Sequence, residues 1–443
     1  MKENKMLPST LYKLAEKIEE KIDESVKKEK LLVESKPHTK AKISNFKYEE
    51  GITGYHISYE DIVSEEWNLE EKRNLVESEI KQTEEYKDAT EIISRDYDIP
   101  IKQADDRLSR FTYNLVESSI KEISKYDITN HIMIFISELE HNPILWRSVV
   151  WLGGIYLETD LIKINDSVKI KKPEPRDLEY DLPELNYSTH DRPSAIMCLE
   201  YRVEGSPKMQ SIADKIIVIL KLYKIGSIYR IKIKFIPPPI LKHSGSIIER
   251  SKTTTAFKYG LKKEDEEQLH TFFDTINSKI PDEVIEKGTG EVDFITIAFD
   301  RYNDSILKQD VPESRLLSAI MSLEALYLKD TEKSELSERL AQRTALTLSF
   351  FNYSPLEVFN IIKRSYDIRS RFVHGSKIEE DDQKDVMILV EKVIEYTRRS
   401  LVIYLQINES IDKNKFLNLL SKSLLDKDAK EKLQKMLESN VKV

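Results

Sequence analysis

Near the start of the chain, apolar residues recur at three- and four-residue steps, the spacing of one helical face. Residues 1–35 are therefore predicted to be mainly an amphipathic helix, whose stripe is Leu7, Leu11, Leu14, Ile18 and Ile22. A proline in residues 36–40 should end it, and a short loop with one strand should follow. Residues 61–126 look helical and very charged, with a break at the proline of 99–100. We interpret this stretch as a solvated helical surface, with a coiled-coil arm as the alternative.

The pattern changes at residue 131, where runs of β-branched and aromatic residues bounded by turns predict strands. These runs are HIMIFI, RSVVWLGGIYLE, LIKI, AIMCLEYRV, KIIVILKLY and SIYRIKIKF. Residues 224–227 (KIGS) are expected to join the last two runs as a hairpin connection. Residues 171–193 form a proline-rich, acidic excursion, and three prolines at 237–239 end the β-rich section. One helix is expected around residues 264–276.

A helical pattern returns near the C-terminus. In the segment IIKRSYDIRSRFVHGSK (361–377), the buried stripe would consist of Val358, Ile361, Ser365, Ile368 and Phe372. Gly375 follows, where a helix C-terminus often needs a left-handed residue. The chain is therefore predicted to be α+β, with a helical region in residues 1–130, an antiparallel β-rich domain in 131–290 and a helical domain in 291–443. The last boundary should fall within residues 281–291.

Composition narrows the function classes. Of 443 residues, 33% are charged, 11 are Gly and one is Cys, and the net charge is −9. The low glycine content argues against glycine-rich nucleotide loops, and the single cysteine, Cys198, excludes an intrachain disulfide. Neither a long apolar run nor a signal-peptide core is present, so we expect a cytoplasmic protein without a membrane association. The acidic balance weighs against a general nucleic-acid coating protein.

A local basic segment stands out against this acidic background. Residues 354–378 contain five cations and two carboxylates, and so carry a net charge of +3: Lys363, Arg364, Arg369, Arg371 and Lys377 against Glu357 and Asp367. His374 lies in the same segment, at the predicted helix end. The helix dipole there favours the imidazolium, while Arg369 and Arg371 oppose it, and such a balanced histidine suits proton transfer. Along a continuous helix, Arg369 and His374 would lie about 140° apart, whereas Arg371 is on the histidine's side.

These residues carry a family resemblance. The segment RSRFVH (369–374) fits the Arg-x4–6-His signature of HEPN domains, and its surroundings resemble the Apea-like branch. The matching blocks, in the family's order, are RYNDSIL (301–307), VPESRLLSAIMSLEALYL (311–328), LSERLAQRTALTL (336–348) and YDIRSRFVHG (366–375). The resemblance covers residues 294–405. HEPN nucleases often carry Asn, Asp or His after the motif arginine, where this chain has Ser370.

The resemblance implies a C-terminal all-α HEPN-like bundle and a metal-independent endoribonuclease that leaves a 2′,3′-cyclic phosphate and a 5′-OH. Arg369 and His374 would be catalytic, and no cofactor or metal is expected. The other expected site residues are Arg371, Arg364, Tyr366 and Lys377 for substrate binding, with Glu324 and Ser370 as supports. HEPN domains commonly dimerise with two motifs facing one cleft. We therefore expect a homodimer that acts on an RNA substrate. We also expect an anti-phage role, with a phage-derived molecule or a nucleotide acting as a trigger at the N-terminal region.

Alternatives remain at several of these residues. The motif arginines would instead pair with Glu324, Glu338 or Asp367, and His374 would only cap the helix. Tyr366 would pack rather than stack on a base. Glu324 lies among apolar neighbours, so we expect it to be paired, with Arg339, Arg343 or Arg369 as the candidates. The alternative function is a catalytically silent HEPN module that serves as a binding or oligomerisation scaffold.

Overall fold

The computed structural model describes residues 6–27, 33–49, 51–119, 125–179, 192–205, 208–236, 238, 246–248, 257–286, 293–307, 311–375 and 380–442. It is an α+β structure in which the C-terminal region is helical, as predicted. Within the described residues, no helix is long and apolar enough to cross a membrane.

The N-terminal helices share one apolar core. They are α1 (Met6–Lys27), α2 (Leu69–Asn74), α3 (Glu84–Asp96), α4 (Ile101–Ser119) and α5 (Lys125–Leu139), with a π-helical turn at Leu75–Glu79 and a 3-10 turn at Ile80–Gln82. The break between α3 and α4 falls where the proline predicted it. The strand predicted at 131–136 is wrong, because this run lies inside α5. Ile132, Phe135 and Leu139 point into the helical core at three- and four-residue steps, and Phe135 stacks on Phe111 at 4.7 Å.

A long hairpin replaces the single strand and part of the charged helix predicted for residues 36–67. It consists of β1 (Val33–Glu49) and β2 (Ile52–Trp67), which pair antiparallel. Two residues connect the strands, and one of them is Gly51 with φ +81°. Hairpins with two-residue turns need such positive φ angles, which glycine adopts without strain. Ile43 and Ile57 of the hairpin pack in one apolar cluster with Trp151, Ile196 and Ile231.

The β-rich section is built around a six-stranded antiparallel sheet in the order β5-β6-β7-β3-β8-β9. Its strands are β3 (Ile144–Gly153), β5 (Leu161–Lys163), β6 (Val168–Lys171), β7 (Ala195–Val203), β8 (Tyr229–Ile236) and β9 (Ser246–Ile248). A separate parallel pair joins β4 (Ile155–Leu157) to β10 (Tyr259–Leu261). These strands confirm four of the six predicted runs.

Four helices accompany these strands: α6 (Pro175–Glu179), α7 (Met209–Tyr223), α8 (Asp265–Ile276) and α9 (Asp282–Ile285). The helix predicted around 264–276 is confirmed as α8. The strand predicted at 215–223 is wrong, since this run belongs to α7, and the expected hairpin at 224–227 is a helix-to-strand connection. A helix buried on most sides has a continuous apolar sequence that resembles a buried strand. Most of the proline-rich excursion, residues 180–191, lies outside the described residues.

The C-terminal region contains α10 (Phe294–Leu307), α11 (Pro312–Tyr327), α12 (Leu336–Ser349), α13 (Pro355–Val373), α14 (Glu380–Ile407), α15 (Lys413–Ser423) and α16 (Lys427–Asn440). One continuous apolar core runs from the inner face of the sheet through α7 into these helices. Polar contacts reinforce it: an Arg398 guanidinium N–H donates to the backbone oxygens of Leu222 and Tyr223, at 2.5 and 2.9 Å. Side chains on both sides of residues 281–291 thus belong to the same core.

Candidate functional site

The site predicted from sequence lies at the C-terminal end of α13. The helix begins with Pro355 in its first turn, and it buries Val358, Ile362, Ser365 and Ile368 at three- and four-residue steps. The predicted stripe is wrong at two positions: Ile361 is only half-buried because the stripe steps from Val358 to Ile362, and Phe372 in the last turn is 37% exposed. It ends at Val373, and the His374 N–H donates to the Ser370 oxygen at 3.1 Å. Gly375 follows with φ +66°, which confirms the predicted helix end with its left-handed glycine.

Arg369 is fixed by two neighbours. Its guanidinium Nη2 lies 3.4 Å from Oε2 of Glu324 on α11, and its guanidinium carbon lies 5.5 Å from the ring centre of Tyr366. All three side chains are half-buried. The expectation that Glu324 is paired is therefore confirmed, and Arg369 is the partner among the three candidates. The Arg369–Glu324 pair is also one of the pairs expected if the motif arginines have a structural and not a catalytic role.

Burial dominates the protonation equilibria of this cluster. It raises the pKa of the Glu324 carboxyl, while the charge of Arg369 and a hydrogen bond from the Tyr366 hydroxyl act in the opposite direction. Burial also raises the pKa of Tyr366, and the nearby Glu324 carboxylate adds to that effect. Tyr366 also packs against the core of the C-terminal region. The ion pair does not fully compensate for the removal of the Glu324 carboxylate from water.

The cluster contains polar atoms without partners. Within the described residues, Nε of Arg369 and Oγ of Ser365 are buried and form no hydrogen bond. A buried donor that lacks an acceptor costs on the order of 1–3 kcal/mol. The Arg369 guanidinium is thus held in place on one side and incompletely hydrogen-bonded on the other.

His374 lies apart from this cluster. It is exposed, whereas Arg369 turns inward to α11, as expected for two residues about 140° apart on a helix. Ser370, Arg364 and Arg371 are half-buried on α13, and Lys377 lies outside the described residues. A single chain therefore does not direct both Arg369 and His374 at one point.

No family model, curated protein or solved structure matches this chain. The HEPN resemblance therefore rests on the motifs and their order along the sequence. Among the described residues, no group of three or more His, Cys, Asp or Glu side chains is arranged to hold a metal ion.

A second charged cluster, formed by Glu332, Arg339 and Arg343, was not predicted from the sequence. Glu332, in the connection between α11 and α12, accepts hydrogen bonds from both Nη atoms of Arg343, at 2.7 and 2.8 Å. Arg339 adds a third contact at 3.4 Å. These partners, chiefly Arg343, lower the pKa of Glu332 to about 2. Eleven residues separate Glu332 from Arg343, so helical spacing could not have revealed the pair.

Proposed function

We propose that this protein is a HEPN-type endoribonuclease that cuts RNA without a metal ion and leaves a 2′,3′-cyclic phosphate and a 5′-OH. The observation that carries the proposal is the end of α13, where Arg369 is fixed by Glu324 and Tyr366 and His374 is exposed. In the proposed reaction, His374 takes the proton of the ribose 2′-OH, and the 2′-oxygen attacks phosphorus as the bond from phosphorus to the 5′-oxygen breaks. The leaving 5′-oxygen takes a proton from water and becomes the 5′-OH. Arg369 stabilises the charge that develops on the phosphate, with Arg371, Arg364, Tyr366 and Lys377 along the RNA.

The active form that we propose is a homodimer. Because Arg369 and His374 diverge within one chain, a complete site needs residues from two copies of α13. Exposed apolar side chains at the end of α13 and in α14 support such an association. They are Phe372 and Val373 at the end of α13, and Met387 and Ile388 early in α14. Exposed apolar groups of this kind favour burial against a second protein surface.

The resemblance supports an anti-phage or abortive-infection role in the cytoplasm. In this proposal, residues 1–290 sense a phage-derived molecule or a nucleotide and restrain the nuclease until it binds. Such regulation requires contacts that differ between the restrained and active states. The continuous core between the sheet and the C-terminal helices provides a physical connection between the two regions.

A cleavage assay on the purified full chain tests the activity. With total tRNA and EDTA present, we expect fragments that end in a cyclic phosphate. His374→Ala should abolish cleavage and change the free energy of unfolding by only about 1 kcal/mol, because the side chain is exposed. The control is His141→Asn, another exposed histidine, which should cut at the parental rate. Undiminished cleavage by His374→Ala would refute the proposed base.

The second candidate function is a catalytically silent HEPN module that acts as a binding or oligomerisation scaffold. The Arg369–Glu324 pair favours this function, because the Glu324 carboxylate already contacts a guanidinium nitrogen that would otherwise bind phosphate. Ser370 at the position after the motif arginine points the same way. A scaffold would form dimers that survive His374→Ala and would release no cyclic-phosphate ends, whereas Val373→Asp should weaken the dimer.

A further inference from the structure

A cleft of about 470 Å³ lies between α5 and one end of the central sheet. The helix contributes Met133 and Ile134, and the strands contribute Leu145, Arg147, Arg202 and Ile236. The cleft is remote in sequence from α13 and contains none of the residues proposed for RNA cleavage.

Most of the apolar wall of the cleft comes from side chains that belong to neither core, namely Met133, Leu145 and Ile236, whereas Ile134 also packs against the N-terminal helical core. Ile132 and Phe135 of α5 point into the N-terminal helical core, while Met133 and Ile134 lie on an adjacent face and line the cleft. Met133 is 62% exposed, and Ile236, across the cleft on β8, is 39% exposed. Binding of a ligand that removes this apolar surface from water lowers the free energy.

The strand register places the guanidinium groups of Arg147 and Arg202 on the same face of the sheet. Leu145 pairs with Arg202, and Arg147 pairs with Glu200, so these four residues share one face of the sheet. Nε of Arg147 lies 3.1 Å from Oε1 of Glu200. Within the described residues, the structure gives Arg202 no acidic partner. Two arginines against one glutamate leave the cleft with a charge of +1, in a chain whose net charge is −9.

We propose that this cleft binds a small organic anion with an apolar body. Its carboxylate or phosphate head would be held by Arg202, with Arg147 beside it, since a guanidinium presents paired donors that match both groups. The apolar body would lie between α5 and the strands. The volume falls in the range of about 300–1,000 Å³ that is typical of small-molecule sites. Such a ligand would contact the N-terminal helices and the sheet at once.

Three probes that share a naphthalene ring test the proposal by calorimetric titration of the full chain. They are 2-naphthoate, 2-naphthyl phosphate and neutral 2-naphthamide. We expect at least one anion to bind about tenfold or more tightly than the amide, the scale of one charge-assisted hydrogen-bonded pair. The tighter of the two anions then identifies the head group as carboxylate or phosphate.

Variants locate the site. Arg202→Ala and Arg202→Gln should weaken the binding of the preferred anion about tenfold and leave the amide unaffected, while Met133→Asp should weaken all three probes. The control is Arg95→Ala, which removes an arginine from α3, away from the cleft, and should bind as the parent does. Circular dichroism checks that each variant is folded. The proposal is overturned if the anions bind no better than the amide, if no probe binds at millimolar concentration, or if both Arg202 variants keep parental affinity.

Discussion

At the scale of single residues, Arg369 has a role that lysine cannot reproduce. Its planar guanidinium contacts the Glu324 carboxylate and the Tyr366 ring at the same time. A lysine ammonium is a compact charge without a flat face, so it forms at most part of these contacts. The same planarity is what bidentate recognition of a phosphate requires.

We therefore predict that Arg369→Lys behaves nearly like Arg369→Ala. Both should lower the rate of RNA cleavage by about 100-fold, the scale of losing one group that stabilises transition-state charge. Single-turnover cleavage with saturating RNA measures this loss. The matched control is Arg399→Lys on α14, which keeps a charge beside Glu395 away from α13. Parental activity in Arg369→Lys would show that charge alone suffices, or that Arg371 is the working arginine.

At the scale of elements, the Glu332 cluster fixes the connection between α11 and α12. Besides Glu332, Arg343 contacts the backbone oxygen of Tyr327, the last residue of α11, at 2.7 Å. The Glu332 carboxylate also accepts the Lys329 N–H at 3.0 Å. Arg343 is only 4% exposed, so it depends on these acceptors. The cluster thereby fixes the orientation of α12 relative to α11. Because α13 packs against α12, it also affects the position of α13.

The low pKa of Glu332 predicts a pH dependence of stability. The folded pKa of about 2 lies below the ordinary value of 4.5. The contribution of Glu332 is therefore present above pH 4.5 and is lost as the pH falls from 4.5 toward 2. Glu332→Gln should lower the free energy of unfolding at pH 7 by on the order of 2 kcal/mol, with a smaller difference from the parent at pH 3.5.

Urea unfolding at the two pH values measures this difference. Glu335→Gln is the control, because Glu335 contacts Arg339 at 3.3 Å but is 71% exposed. An exposed pair contributes at most about 1 kcal/mol, so this variant should differ little from the parent at either pH. A difference between parent and Glu332→Gln that stays constant with pH would show that the hydrogen bonds of Glu332 do not depend on its charge.

At the scale of the whole molecule, the divergence of Arg369 and His374 predicts complementation between subunits. His374→Ala and Arg369→Ala homodimers each lack one group at both composite sites. A heterodimer regains one site with both groups, so mixing the two variants should restore up to about half of the parental activity per heterodimer. Mass spectrometry verifies that heterodimers form. Heterodimers without activity would indicate a site within one chain or a silent module.

The shared core predicts what happens when the N-terminal region is removed. The Tyr302 hydroxyl of α10 donates to the Lys221 backbone oxygen at 2.7 Å, and Ser227 donates to the Ile306 oxygen at 2.8 Å. Together with the Arg398 contacts, these bonds join the C-terminal helices to α7 and to the start of β8. A chain that starts at Glu291 would expose this apolar surface to water.

We predict that this truncated chain is insoluble, whereas the full chain remains soluble, because residues 1–290 cover this part of the shared core. Sedimentation of cell lysates followed by size-exclusion chromatography measures the solubility of the two chains. A soluble dimer from Glu291 onward that cuts the same RNA at the parental rate would show that residues 1–290 neither complete the fold nor restrain the activity.

The sequence by itself determined the features that depend on neighbouring residues. The end of α13 with its left-handed glycine follows from local spacing, and so does the burial of Val358, Ser365 and Ile368. So do α8 and the strands β3, β7 and β8, whose turns and β-branched residues carry the signal. The α+β class and the helical C-terminal region followed from the same patterns.

Only the tertiary structure decided which of several locally allowed states formed. The runs at 131–136 and 215–223 suit a strand or a buried helix equally, and the surfaces they pack against made them α5 and α7. Sequence spacing likewise left three possible partners for Glu324. The packing of α11 against α13 selected Arg369, because a contact between residues 45 positions apart depends on how distant helices meet. The cleft at Arg202 arises for the same reason, since its walls come from separate elements.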